Sequence, residues 1–380
     1  MSELSDDTFV PKDNAFRGNQ VRPTLALLDW HRRRSAEAAI EPGLPIVDAH
    51  HHLYGASGDR GFYRGEDLAA DIDELNVLGT VYVEAYHAGW RADGPEALRS
   101  LGEVERIVSA SREPLRTAYG RTHMAAGIVS YVDLRLGAAA ADVLDAHLEA
   151  SDGRLRGIRN QATYDKGVVG QYVRNAPVPD LFDDASFRQG FSALQRHGLS
   201  FDAAIFHTQL GALCNLADAF PEVSIVLNHV GMPIGVEDYA SRRHAVFAEW
   251  SEALRAVARR PNVTLKIGGM GMPVCGFGFE WQDAPAPSAM VAAAWRPYVE
   301  VCLEAFGPSR CMFESNFPVD KQSCSYVAIW NAFKQLTSGM SETERRWLFY
   351  RTACRTYRLP ELESNGDTCP FVGSPSPPSS

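Results

Sequence analysis

Short apolar runs alternate with longer stretches of helical period over most of this chain, and they do so eight times. The runs lie at residues 46–53, 80–84, 124–130, 155–159, 199–206, 223–227, 263–267 and 310–314. Between them, apolar side chains recur at helical spacing, as at Leu68, Ile72 and Leu75. The clearest helical stretches are 133–150, 186–197, 210–220, 242–260 and 288–306, with closing helices at 326–336 and 341–357. Gly198 stands where the helix 186–197 needs a left-handed residue to end it. Strands joined by helical crossovers pair in parallel, and a parallel sheet needs helices on both faces. Eight such units over about 320 residues suit a closed (β/α)8 TIM barrel. A doubly wound open sheet is the alternative. It is disfavoured because no Gly-x-Gly-x-x-Gly follows the first run.

The barrel is expected over residues 46–362. Before it, residues 1–45 read as an arm with a helix at 24–40, stopped by the Pro and Gly of residues 42–45. After it, the Ser/Pro/Gly-rich residues 363–380 read as a disordered tail. The net charge of −10 and the lack of a long basic run argue against nucleic acid as a partner. His31-Arg32-Arg33-Arg34 is too short to be more than a solvated face. Seven scattered cysteines without a C-x-x-C pair read as reduced thiols. With a polar N-terminus and no apolar run long enough to span a bilayer, they predict a cytoplasmic protein without a membrane partner.

The first run ends in Asp48-Ala49-His50-His51-His52. Alternate residues of a strand share a face, so His50 and His52 should project together while His51 points away. Two imidazoles on one rigid strand end are half of a metal site. In such barrels the active site lies at the C-terminal strand ends. Of eleven histidines, His50, His52, His207 and His229 fall there. Glu84, followed by His87, ends the second run, and Arg159 ends the fourth. Lys266 lies in the seventh, and Glu314-Ser315-Asn316 closes the eighth. Two loops are candidates for substrate selection. One, 160–184, carries Tyr164, Lys166, Tyr172 and Arg174. The other, 268–287, carries Phe277, Phe279 and Trp281 and serves either as an apolar wall or as an oligomer contact.

The motifs VDAHHHL, LRGIRNQ, LNHVGMP, VTLKIGG and MFESNFPVD, in that order over residues 46–320, resemble those of the amidohydrolase superfamily. More narrowly they resemble its amidohydrolase-2 group of lactonases and decarboxylases. The resemblance implies that His50, His52 and His207 bind a divalent metal, Zn²⁺ first and Mn²⁺ second, although metal-free lactonases also occur in the group. It implies that His229 polarises a substrate carbonyl or moves a proton, and that Arg159 and Lys266 are either anchors for a substrate carboxylate or buried ion-pair partners. One position departs from the pattern: the aspartate usual at the eighth strand end is Asn316. An amide cannot act as a general base near neutral pH. Glu84 or Asp320 could take that role, or the reaction differs. The expected activity is opening of a lactone or similar cyclic ester of a small carboxylate or aromatic-derived compound by metal-activated water. The alternatives are a metal-dependent decarboxylase of an aromatic or unsaturated acid, and a binding protein without catalysis. The expected partner is a small-molecule substrate, with a homodimer as the assembly to test.

Overall fold

The computed structural model describes residues 15–55, 61–86, 88–173, 178–360 and 362. His87, Arg174, the start of the arm and the tail 363–380 lie outside the described residues.

Eight parallel strands form the barrel: β1 (Ile46–His51), β2 (Val77–Val83), β4 (Gly120–Ser130), β5 (Leu155–Gln161), β6 (Ser200–Ala204), β7 (Ile225–Leu227), β8 (Val263–Ile267) and β9 (Cys311–Phe313). They pair in that order. A further short strand, β3 (Leu115–Thr117), makes an antiparallel hairpin with β4. The segment after β9 closes the ring onto β1. Asn316 N–H donates to His50 O at 2.9 Å, and His52 N–H donates to Phe317 O at 2.7 Å. Apolar strand residues such as Val47, Ala49, Val81, Val129 and Met312 pack together with the C-terminal Tyr350, Ala353 and Tyr357. A larger core joins the strands to the surrounding helices around Trp250, Trp295 and Trp330.

All eight runs become barrel strands. Helices Ser288–Phe306 and Tyr326–Leu336 match the sequence reading end to end. Gly198 caps helix Ala185–His197 with φ 62°, in the left-handed region where a side chain is penalised. Elsewhere the boundaries move for local reasons. The arm helix is only Thr24–His31, and the basic stretch beyond it docks on the barrel, where Arg34 Nε donates to Pro285 O. Gly137, at φ 60°, breaks 133–150 into a 3₁₀ segment and helix Ala140–Ala150. Helix Leu101–Ala110 and β3 have no counterpart in the sequence reading. Among the described residues no helix is long and apolar enough to cross a membrane.

One feature of the core reaches the site directly. Trp250, fully buried, donates its indole N–H to Val230 O at 2.7 Å. Val230 sits in the turn His229–Gly231, where His229 and Val230 have φ of 54° and 51°. The indole therefore supports a turn that has left the usual backbone regions. Trp250→Ala is expected to lower the unfolding free energy by about 3–5 kcal/mol, read from urea denaturation. A loss below about 1 kcal/mol would mean the site collapses without cost.

Candidate active site

β1 shifts register against β2 between Asp48 and His51. Asp48 leaves the site altogether. Its carboxylate accepts from Ser315 N–H at 2.9 Å, Ser315 Oγ at 2.6 Å and Tyr326 OH at 3.0 Å, which ties β1 to the closing segment. Burial pushes its carboxyl up to about 6 despite those bonds. His51 points away from the site, with Nε2 2.8 Å from Thr80 Oγ1. His50 and His52 stay together, their Nε2 atoms 3.1 Å apart.

The protons on these rings follow from their partners. His52 Nδ1 lies 2.8 Å from Val83 O, a pure acceptor, so Nδ1 carries the proton and Nε2 is a bare lone pair. His229 Nδ1 lies 2.7 Å from Glu314 Oε1, which also accepts the His229 backbone N–H at 3.1 Å. Its Nε2 is bare for the same reason. His50 has two available placements. Its Nδ1 is 2.9 Å from Glu314 Oε2 in a poorly aligned approach, and 3.3 Å from Lys266 Nζ. Protonated at Nδ1, it serves the carboxylate and leaves Nε2 to Arg159 NH1 at 3.3 Å. Protonated at Nε2, it donates to His52 and accepts from Lys266 at Nδ1; in both placements Glu314 Oε2, a buried oxygen, lacks a well-aligned donor. A metal ion between the two Nε2 atoms requires the first placement, with the proton on Nδ1 beside Glu314. Burial, then Lys266, holds His50 well below the usual histidine range; burial, then Arg159, does so for His52. Both rings are neutral and able to ligate.

Glu314, fully buried, was passed over in the sequence reading. Its sequence signal is a carboxylate that ends an apolar run, two residues before Asn316. With His50 and His229 it forms the one group of three potential metal-binding side chains found among the described residues. That grouping differs from the expected set. His207 is elsewhere: its Nδ1 accepts from Ile234 N–H at 3.3 Å, and its ring meets Tyr239 edge-on. Among the described residues its Nε2 is buried without a partner, and the ring is not grouped with His50 or His52.

The other expected residues separate into cavity walls and supports. A cavity of about 440 Å³ opens over the strand ends, with His52, His229, Arg159 and Asn316 in its lining. Glu84 does not line it. Its carboxylate accepts from Arg159 Nε at 2.6 Å and Tyr86 N–H at 2.7 Å, so it aims Arg159 and is not exposed as a base. Lys266 is an ion-pair partner, bound at 2.8 Å to Asp202, which also accepts from Asn228 and Tyr357. Asn316 Nδ2 donates to Asp320 Oδ1 at 2.7 Å, and Gly271 N–H donates to Oδ2 at 2.8 Å. This leaves the Asn316 amide oxygen as the end facing the cavity. It also engages Asp320, so that carboxylate does not reach in as a base.

Tyr164 is absent from the cavity wall, where Tyr172 and Val173 of the same loop stand. Phe279 and Trp281 are absent too. Phe279 stacks on Phe277, which meets Tyr298 of the helix behind, so the loop turns its aromatics inward. Met272 and Val274 form its contribution to the wall. The sequence reading also missed residues of the N-terminal arm, which complete the cavity.

Residues 47–359 match the family model described as Amidohydrolase. An uncharacterized protein of Sinorhizobium fredii is 32% identical over 336 residues, covering 83% of this chain and 99% of that protein. The L-fucono-1,5-lactonase of Burkholderia multivorans is 31% identical over 333 residues, covering 83% of this chain and 96% of that enzyme. A crystal structure of an amidohydrolase from Burkholderia multivorans with bound zinc superposes with TM-score 0.62 at 23% identity, covering 83% of this chain and 99% of that one.

Glu314→Gln tests the network. An amide N–H₂ facing either Nδ1–H makes one contact repulsive and frees one ring to change its proton placement. The expected loss is about 1–3 kcal/mol of stability, read from chemical denaturation. An unchanged midpoint would mean that neither imidazole donates to Glu314.

Proposed function

Because the chain belongs to the amidohydrolase-2 family, we propose that it hydrolyses a lactone, opening a cyclic ester to its hydroxy acid, with a divalent metal ion held by His50 and His52. Zinc is the preferred ion. The observation that carries the metal is the pair of neutral rings with Nε2 atoms 3.1 Å apart, beside a buried Glu314 oxygen that has no hydrogen-bond partner among the described residues. The likeness to an L-fucono-1,5-lactonase supports the substrate class, and the zinc in the Burkholderia multivorans amidohydrolase supports the ion. When bound, such an ion supplies Lewis acidity and a water that loses its proton near neutral pH.

The chain's own groups account for the rest. His229 presents a bare Nε2 to the cavity while Glu314 keeps its Nδ1 protonated. It takes the proton of the attacking water as the new C–O bond forms. It returns that proton to the ring oxygen as the acyl C–O bond breaks. Arg159, aimed by Glu84, offers N–H donors to the carbonyl oxygen where charge develops. Asn316 accepts a hydrogen bond from the substrate through the oxygen that Asp320 leaves free. In this reading His229 performs the proton transfer that the missing aspartate would have carried. The carboxy-lyase alternative draws on the same histidines and has no further feature of the cavity in its favour.

A panel of sugar lactones with pH-indicator detection tests the proposal. The metal-loaded protein should open at least one of them, and His229→Ala should lower kcat by about 10²–10⁴-fold. Metal content should fall in the His50→Ala/His52→Ala variant. Absence of turnover across the panel would overturn the substrate class, and an unchanged kcat in His229→Ala would overturn its role.

A further inference from the structure

The arm is outside the residues that match the family, which begin at 47, yet it forms one wall of the cavity from Phe16 to Leu28. It is fixed there by specific bonds. Phe16 N–H donates to Glu237, and Val274 N–H donates to Asn19 Oδ1 at 3.1 Å. At Arg22 both backbone groups are held by one side chain: its N–H donates to Gln322 Oε1 at 2.9 Å, and its carbonyl accepts from Gln322 Nε2 at 3.0 Å.

Arg22 lines the cavity and is 7% exposed. Its guanidinium lies over the Trp30 ring, 4.3 Å from the centroid, and Trp30 is itself fixed by an indole bond to Gln282 O at 2.8 Å. Among the described residues the Arg22 side chain makes no ion pair or hydrogen bond, and NH1 is buried without a partner. Glu280 is the carboxylate that acts on it, from beyond ion-pair distance, while Arg33 repels it. The other cations of the wall are committed: Arg159 to Glu84, Lys321 to both oxygens of Asp71, and Arg17 is engaged as well. A guanidinium stays charged at any ordinary pH, and a buried charge without a counter-ion is costly. The cavity is where a counter-ion can enter.

We propose that the arm is a specificity element and that Arg22 receives an anionic substituent, a carboxylate, on the substrate. The inference rests on the hydrolase reading for the reaction but not for the binding. Planar guanidinium and carboxylate pair through charge-assisted hydrogen bonds, and stacking on Trp30 holds the guanidinium plane in place for them. This chain would then prefer a lactone that carries a carboxylate beyond the reacting ester, and neutral lactones would bind less well.

Two measurements test it on the metal-loaded protein with the arm in place. In kinetics, Arg22→Gln should raise KM about tenfold or more for a carboxylated lactone such as isocitric lactone. It should leave kcat/KM for neutral δ-valerolactone within about twofold. Arg22→Lys, which keeps the charge but loses the planar fork, should fall between. Equal losses on both lactones, or no change on either, would overturn the proposal and leave Arg22 as a strut between arm and Trp30. In calorimetry, malonate should bind the wild type and bind Arg22→Gln about tenfold more weakly. If no lactone is opened but malonate binding depends on Arg22, the anionic subsite stands and the hydrolase reading falls. If malonate binds both proteins equally, or neither, the subsite falls whatever the enzyme hydrolyses.

Discussion

One buried carboxylate holds the centre of this barrel together. Glu314 accepts from His229 twice, through the ring and the backbone, and lies against Nδ1 of His50. It joins the end of β9 to the turn after β7 and to the end of β1. A carboxylate can only accept, so the His229 proton sits on Nδ1, while His50 Nδ1 lies between this carboxylate and Lys266. That leaves the His229 Nε2 lone pair for the cavity, where the proposed chemistry uses it.

Around that carboxylate, charged groups are paired so that each aims another. Glu84 aims Arg159, Asp202 holds Lys266, and Asp320 orients the Asn316 amide. Glu84, Lys266 and Asp320 act through a neighbour, while Arg159, Asn316, His52 and His229 line the cavity. Asp48 belongs to the same pattern in a different place. It looks like part of the histidine motif and instead fastens the closing segment through Ser315 and Tyr326.

The architecture was legible because parallel strands buried on both faces leave continuous apolar runs, and all eight were visible. His50 and His52 were legible because strand alternation is a local rule, and their side-by-side placement survives the register shift at Asp48. His207 was not legible. Its position at a strand end is local, but its use depends on a bond from Ile234, in the loop after the next strand. The aromatics of residues 268–287 misled for a similar reason: composition cannot say whether a loop turns Phe279 towards the cavity or towards Tyr298. The arm was the largest omission. Its short polar segments carry no periodicity, and only the tertiary bonds of Asn19 and Arg22 place it over the barrel.

Binding of a metal ion by His50 and His52 requires that His50 keep its proton on Nδ1, beside Glu314, and offer Nε2 to the ion. Long-range ¹H–¹⁵N correlation spectra of protein labelled at histidine nitrogen read the proton placement of each ring directly. With zinc bound, His50, His52 and His229 should all show a protonated Nδ1, and the Nε2 signals of His50 and His52 should shift on metal removal. A protonated Nε2 on His50 in the presence of zinc, or Nε2 signals indifferent to the ion, would contradict it.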